Sequence, residues 1–533
     1  MAVNESVIEH VDSMVKTNGD ASGNKIEIRV KKYFTIAINA TQKNYSWYLS
    51  EIPDCVVLTN TEKTSVSTFI FSFLATKIQH GKIKFKRYNV AEREESPGQE
   101  MVYYINVVKN HSSGSGTLED PYTISNEEDF KLLQKYPFCA FRVVDYIELG
   151  QSYFDSAQKF TFKGILDGYN NNIEINAQHP FPIFDRLEGE VKNLTFSGIV
   201  INKNSEDDFY ALLVNENYGV IDCVHNSCAI REDECKPGKH TAALVTINHS
   251  LIKNSNNKAP ISGGNSSGIC VLNKGVIENC HNDSYLDAIN SYGICYANMG
   301  KIIYSYNSQS LNSVLGCVSG ICSRNCNGGE IINCFNIGNM SALLNSTGIC
   351  EFNLGTIDEC FNSGHIKGER GVYIGGIAGN NCTGITGDSW ISGYGVIKNC
   401  YNSGHIENGS GICGNNMTEI SSCYNVGIVK DSYDYCGDIA GINCNKVSNC
   451  FFNDSVSITH KAVGNGQSII AGGAKTTEEM STDEFAATLN PNCFKEGHYT
   501  DSSYPELRFF SKNSDPKIAK YSRDSVWVKQ NRF

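Results

Sequence analysis

The sequence predicts an all-β chain in two parts: a small N-terminal β-sandwich followed by a parallel β-solenoid, or β-helix. Three observations carry the prediction. A unit marked by Gly, Cys and Asn recurs through the middle of the chain with a period of roughly 23 to 30 residues, as repeat architectures do. The composition suits many short strands joined by turns, with 48 Gly, only 11 Pro and Asn throughout. The residues ahead of the repeats alternate apolar and polar side chains in short runs and do not repeat.

Charge and cysteine usage narrow the function. A formal charge of −12 opposes a nucleic-acid partner, which needs clustered Lys and Arg, and reads as solubility. The stretch from Met1 to Asp20 carries acidic residues where a secretory signal carries positive charge, and it has no apolar central run. No segment reaches the roughly 18 to 20 apolar residues that span a bilayer, Phe69 to Ala75 being the longest candidate. The expectation is a cytoplasmic chain with no membrane span. The 22 Cys residues include no Cys-x-x-Cys pair, so neither a zinc site nor a redox motif is supported, and no cofactor is expected. They recur instead as Asn-Cys or Gly-Ile-Cys, which reads as small side chains stacked in a core.

The repeat itself is plain in GICEFNLGTIDECFNSGHI, Gly348 to Ile366, with other copies opening at Gly268, Gly293, Gly320, Gly376, Gly411 and Gly441. Aligned on the second half, Cys280, Cys334, Cys360, Cys400, Cys423 and Cys450 form one column, with Ser305 substituting once. Two residues on come Asn282, Asn307, Asn336, Asn362, Asn402 and Asn425, then Asn453 one step later. Segments such as Gly-Val-Ile-Lys-Asn-Cys-Tyr alternate inward and outward between Gly and Asn, a strand pattern. Stacked ~4.8 Å apart, such rungs bury their apolar faces against one another in ladders of Cys, Ile and Ala. In-register side chains point the same way, so the Cβ vectors suit the ~90° disulfide torsion poorly and mostly free thiols are expected. Asn before Gly is expected at turn corners, where it tolerates the left-handed region. Weaker copies at Gly189, Gly219 and Ala243, and the stretch Phe160 to Ile175, extend the solenoid from about Gly116 to about Asn453.

These repeats resemble GLUG-motif proteins. GSGTLEDPYTISNEEDFKLL (Gly114 to Leu133) resembles their entry segment, FKGILDGYNNNIEI with FPIFDRLEGEVKNL their first rungs, and AKTTEEMSTDEFAATLN with YPELRF their closing segment. The resemblance implies a surface or adhesive role and so a cell-surface or extracellular location, from which this chain departs in lacking a signal and an anchor.

Ahead of the solenoid, the runs KIEIRV, YFTIAIN, YSWYL, TFIFSFLAT, KIKFKRY and MVYYINVV read as a small antiparallel sandwich of immunoglobulin-like size. Their order resembles the chagasin-type inhibitors of papain-like cysteine peptidases. Members of that family insert three loops from one end into the peptidase cleft and cover its thiol. The first loop, Asn-Pro-Thr-Thr-Gly-aromatic-x-Trp, is matched by Tyr45, Ser46 and Trp47, with Asn44 at the glycine. The second, Gly-x-Gly-Gly, falls on Lys63, Thr64 and Ser65 after Glu62, with every glycine replaced. The third, Arg-Pro-Trp, is matched by Arg87, with Tyr88 and Asn89 replacing the other two. The resemblance implies that these ten residues contact the peptidase. The alternative is an ordinary sandwich in which Trp47 is core and Arg87 a solvated edge residue.

An enzyme is not expected. A β-solenoid lyase or hydrolase needs paired carboxylates or a metal cluster on one face. Asp358 with Glu359, Glu278, and Lys398 with Asn399 sit in different rungs without convergence, Asp167 reads as a turn residue, and no nucleophile elbow or phosphate loop appears. The organisation read from the sequence is an N-terminal extension over 1–24, the sandwich over 25–110, the solenoid over 111–460 and a closing segment with tail over 461–533. Two functions follow: inhibition of a papain-like cysteine peptidase with the solenoid as spacer, or a non-enzymatic repeat protein whose long lateral surface binds another protein or a glycan.

Overall fold

The structure is a computed structural model. It describes residues 13–18, 24–29, 33–39, 45–63, 68–77, 79–90, 94–108, 114–178, 180–202, 208–232, 236, 238–371, 373–383, 393–430, 435–497, 503–512 and 516–526. The chain forms two compact units, Met1–Ser112 and Ser113–Phe533.

The first unit holds eight strands: β1 Ser13–Asn18, β2 Asn24–Arg29, β3 Tyr33–Asn39, β4 Tyr45–Glu51, β5 Val56–Lys63, β6 Thr68–Ala75, β7 Gln79–Asn89 and β8 Glu94–Val108. They form two four-stranded sheets, β1-β3-β6-β5 and β2-β8-β7-β4. Alternation does the work expected of it: along β6 every second residue is buried, and Phe71 packs on Phe85 of the other sheet with ring centroids 4.6 Å apart. Phe34, Phe73, Phe85 and Tyr103 make one core with Trp47.

Two features differ from the sequence reading. The sheets are mixed, because β1 pairs parallel with β3 and β2 parallel with β8. Parallel neighbours need a long crossover, and here the chain makes one through a strand of the opposite sheet in one case and through most of the unit in the other. Strands β1 and β5 also lay outside the expected runs. Strand β5 is exposed beyond Val56, so it has no buried face to impose alternation.

The second unit is an all-β parallel solenoid of about twelve turns, with one face formed by a 12-stranded parallel sheet. Its interior is filled by columns such as Ile277, Ile302, Ile331, Ile357, Ile397 and Ile420, all fully buried. From Asn217 to Asn443 the central rungs carry two columns of buried asparagines, and within each column an asparagine bonds to its counterpart in the next rung. In one ladder Nδ2 of Asn217 donates to Oδ1 of Asn248 at 2.7 Å, and the chain continues through Asn273, Asn298, Asn325, Asn353, Asn381 and Asn416 to Asn443 at 2.7–2.9 Å per step. The second runs from Asn226 through Asn257, Asn282, Asn307, Asn336, Asn362 and Asn402 to Asn425 at 2.8–2.9 Å. These amides also close the local corner: Asn362 Nδ2 donates to the Gly364 carbonyl, and Gly219 N donates to Asn217 Oδ1.

The ladders revise the sequence reading at three points. Left-handed backbone occurs before Gly at Asn408, with φ of 63°, but it recurs rung after rung one residue ahead of the cysteine column, at Asn279, Tyr304, Asn333, Glu359, Asn399, Ser422 and Asn449, with φ of 50–56°. A ladder asparagine is therefore extended and its amide runs along the axis, while the corner is made elsewhere. Asn453 is not in the ladder. Phe452 takes the place opposite Asn425, and Asn453 donates instead to Tyr504 at 2.8 Å and to Thr477 at 2.9 Å. The last full repeat opens at Asp438 and not Gly441, since Ala440 is the register partner of Cys413. Asp438 stands in the glycine column, and its carboxylate accepts from Asn425 at 3.4 Å and ends the ladder.

The glycine column has a steric cause. A Cβ on Gly348 would lie 2.1 Å from the Gly376 carbonyl oxygen and 2.6 Å from Cγ of Asn362, so Gly lets one wall approach the asparagine ladder. The cysteines are free thiols throughout the described residues. Burial pushes the thiols of Cys360, Cys400, Cys423 and Cys450 well above the ordinary range. They also serve as acceptors: Cys400 N donates to Cys423 Sγ at 3.4 Å, and Ser305 Oγ takes the same role for Cys280 N at 3.1 Å. That shared role explains the one serine in the column.

Strands Val463–Gly466 and Ala471–Lys475 add the final rung. The chain then turns back through a capping box at Thr476 and Glu479 and runs along the solenoid flank. It covers a column of stacked rings, Tyr306, Phe335, Phe361, Tyr401 and Tyr424, whose centroids are 4.7–5.0 Å apart.

Two outcomes are expected. Replacing Asn362 with Leu leaves the amide of Asn336 and the carbonyl of Asn402 short of a buried partner, which costs roughly 2–4 kcal/mol and lowers the urea midpoint; a midpoint equal to the parent chain contradicts the ladder's role. Iodoacetamide at neutral pH labels exposed Cys444 promptly, while Cys360, Cys400 and Cys423 react only after unfolding. Equal labelling rates in the folded chain, read by mass spectrometry, would be the contrary result.

Candidate functional site

Strand register aligns the ends of β3, β5 and β6 in one sheet and of β4, β7 and β8 in the other. β3 ends at Asn39 opposite Thr68, where β6 begins, and β5 ends at Lys63 opposite Phe69. β4 begins at Tyr45 opposite Asn89, where β7 ends, and β8 begins at Glu94 opposite the same Asn89. The end of β3 and the start of β4 belong to these two sets, in opposite sheets.

Side chains there are coupled across the β4–β7 pair. The Arg87 guanidinium carbon lies 3.9 Å from the centroid of the Tyr45 ring, a cation–π contact of about 0.5–1 kcal/mol at a partly exposed site. Arg87 Nε is enclosed, with no hydrogen-bond partner among the described residues. Ser46 faces Tyr88 in register, both half-buried. Lys63 is exposed, with its ammonium 5.1 Å over the Phe69 ring. Asn89 is buried at 8 % exposure, and Trp47, at 6 %, belongs to the core. Trp47 thus supports the site from beneath, as the ordinary-sandwich reading has it, whereas Arg87 is stacked and half-buried and not a solvated edge residue. Asn44, Thr64 and Ser65 lie outside the described residues. At the other end of β4, Lys84 donates to Glu51 at 2.7 Å and holds that carboxyl below the usual range.

Sequence reasoning missed Phe69 as the platform under Lys63. Its signal was the alternation of Thr-Phe-Ile-Phe-Ser-Phe, which places Phe69 in phase with the core at the mouth of the strand.

In the solenoid, Asp358 and Lys398 are register partners and do meet, Nζ to Oδ2 at 3.2 Å, with Asn399 donating to Asp358 at 2.8 Å. Stacking converts residues one rung apart into neighbours, which corrects the reading that they do not converge. Glu359 turns elsewhere. It accepts from Cys493 Sγ at 3.4 Å, and burial raises its carboxyl. Burial, and then the same carboxylate, push Cys493 up to about 12. The arrangement is an ion pair and a thiol–carboxyl contact, not two carboxylates across a substrate. Asp167 accepts from Tyr169 N and Asn193, as a turn residue does.

No family model matches the chain, and no curated protein matches it. Among solved structures, the cysteine protease inhibitor EhICP2 from Entamoeba histolytica is similar at 14 % identity and a TM-score of 0.16. That match covers 18 % of this chain and 96 % of that chain.

The geometry separates support from surface. Trp47→Ala is expected to destabilise the first unit by about 3–5 kcal/mol through core loss, whereas Tyr45→Ala and Arg87→Ala each cost about 1 kcal/mol or less. Thermal unfolding of the three variants distinguishes them, and an Arg87→Ala loss as large as that of Trp47→Ala would contradict the assignment.

Proposed function

We propose that the first unit is a reversible inhibitor of papain-like cysteine peptidases, bound through the end that carries Tyr45, Lys63, Arg87 and Asn89, with the solenoid as spacer or binding scaffold. The observation that supports this reading is the register of the strand ends that border three links, with a stacked Tyr45–Arg87 pair at two of those borders. In this reading the end enters the peptidase cleft and covers its thiol. Its affinity rests on loops held in place before binding, since each side chain ordered on association costs about 0.5–1.5 kcal/mol. The antiparallel register of β4 with β7 and the buried Trp47 and Asn89 supply that order at the strand ends. Tyr45 offers a ring and Lys63 and Arg87 offer cationic edges, while Asn44, Ser46, Thr64, Ser65 and Tyr88 complete the contacting set.

The test is a titration of the full chain against papain with a fluorogenic peptide, with Tyr45→Ala, Arg87→Ala in parallel. The expected result is an inhibition constant at or below about 1 μM, weakened at least tenfold by the double variant at an unchanged unfolding temperature. A folded chain that leaves papain fully active at about 10 μM overturns the proposal.

A further inference from the structure

Where the C-terminal segment runs along the solenoid flank, a cavity of about 510 Å³ lies between them. Its floor comes from four consecutive rungs, at the two positions that follow the buried Asn on either side of a Gly. In the outer rungs these pairs are Ile337 with Asn339, and Val426 with Ile428. In the inner rungs they are Ser363 with His365, and Ser403 with His405, so the motif Asn-Ser-Gly-His-Ile occurs twice and stacks on itself. Backbone bonds hold the columns in place: His365 N donates to Asn339 Oδ1 at 3.0 Å and Ile366 N to the His405 carbonyl at 2.8 Å. The far wall is Tyr504, Tyr521 and Asp524. Tyr401 and Ser525, hydroxyl to hydroxyl at 2.6 Å, fix the helix Pro516–Val526 that carries two of them, and Asn453 fixes Tyr504.

The lining is rich in hydroxyls and carries one carboxylate, that of Asp524. The two imidazoles lie with centroids 6.3 Å apart and edge to face. Burial, and then His365 itself, holds His405 below the usual imidazole range, so it offers one donor and one acceptor at neutral pH. His365 Nε2 is enclosed without a hydrogen-bond partner in the described structure, with Glu407 Oε1 3.6 Å away. Among the described residues the lining holds no Lys or Arg, and Lys367 is turned to Glu407 at 3.7 Å. Among the described residues no group of three or more His, Cys, Asp or Glu is arranged for a metal. Rungs ~4.8 Å apart repeat the Ser and His pair at a spacing that hydroxyls on non-adjacent carbons of a pyranose ring share. Tyr504 and Tyr521 line the opposite side, and Tyr521 is packed on Tyr306 and Phe335. The volume falls within the range of about 300–1,000 Å³ typical of small-ligand sites.

We infer that this cavity binds a neutral mono- or disaccharide, held by Ser363, Ser403, His365, His405 and Asp524 against the tyrosine wall. The site lies in the second unit and is independent of peptidase inhibition.

The experiment is saturation-transfer NMR on the full chain with glucose, galactose, N-acetylglucosamine, maltose and lactose, followed by titration of any sugar that binds. The variant Ser403→Val, His405→Ile copies the pair already present in the next rung and so keeps the fold. Asp524→Asn, on the exposed helix face, is a second variant that leaves the solenoid untouched. We expect at least one sugar to bind with a Kd below about 5 mM and both variants to weaken it at least tenfold, at an unchanged urea midpoint. Overturning results are binding of no sugar in the panel at about 10 mM, sugar binding unaffected by both variants, or occupation of the site by inorganic phosphate in preference to every sugar.

Discussion

The solenoid depends on pairing buried side-chain amides along its axis. A buried carboxamide without partners is costly, and an asparagine has a donor at one side and an acceptor at the other, so it is satisfied by a copy of itself one rung away. This fixes the height of every rung relative to the next. Length can vary only between the ladder positions. Asn362 and Asn402 are 40 residues apart where neighbouring pairs are 23 or 26 apart, and their bond is still 2.8 Å. The repeat can therefore lengthen without loss of register.

Everything else on the solenoid is arranged by that register. The left-handed residues stack because each corner must turn at the same height, even where Tyr304, Glu359 and Ser422 must adopt a conformation that costs a non-glycine residue about 1–2 kcal/mol. The ring column is another consequence. Tyr306 to Tyr424 stack nearly parallel, with interplanar angles of 0–7° and centroids 4.7–5.0 Å apart, within the range of stacked aromatic pairs. The returning segment packs edge-on against this column, with Phe510 at 90° to both Phe335 and Phe361. The flank segment, in turn, encloses the cavity of the two Ser-Gly-His motifs.

Much of this was legible in the sequence because repetition exposes it. The cysteine and asparagine columns, the free thiols and the parallel stacking follow from spacing alone. Where the reading failed, the cause lies in what one rung contributes to its neighbour. Left-handed φ at Asn279 or Glu359 is set by the corner and not by the residue type, and Gly441 resembles a unit start although Asp438 occupies that place. Asp358 and Lys398 are far apart in sequence and adjacent only through stacking. In the first unit the core strands announced themselves by alternation, while β5, with one buried residue, carried no such pattern. At the candidate site, Tyr45 and Arg87 were found from motif positions, but their stacking depends on the β4–β7 register, and Trp47 proved to be core.

The most direct test of the ladder account is hydrogen–deuterium exchange on the full chain, followed by mass spectrometry. If the asparagine ladders hold the rungs in register, strand amides between Asn273 and Asn402 exchange slowest, and protection falls toward both ends of the solenoid. Central rungs that exchange as fast as the terminal ones would contradict it, since stacking would then owe nothing to an unbroken line of paired amides.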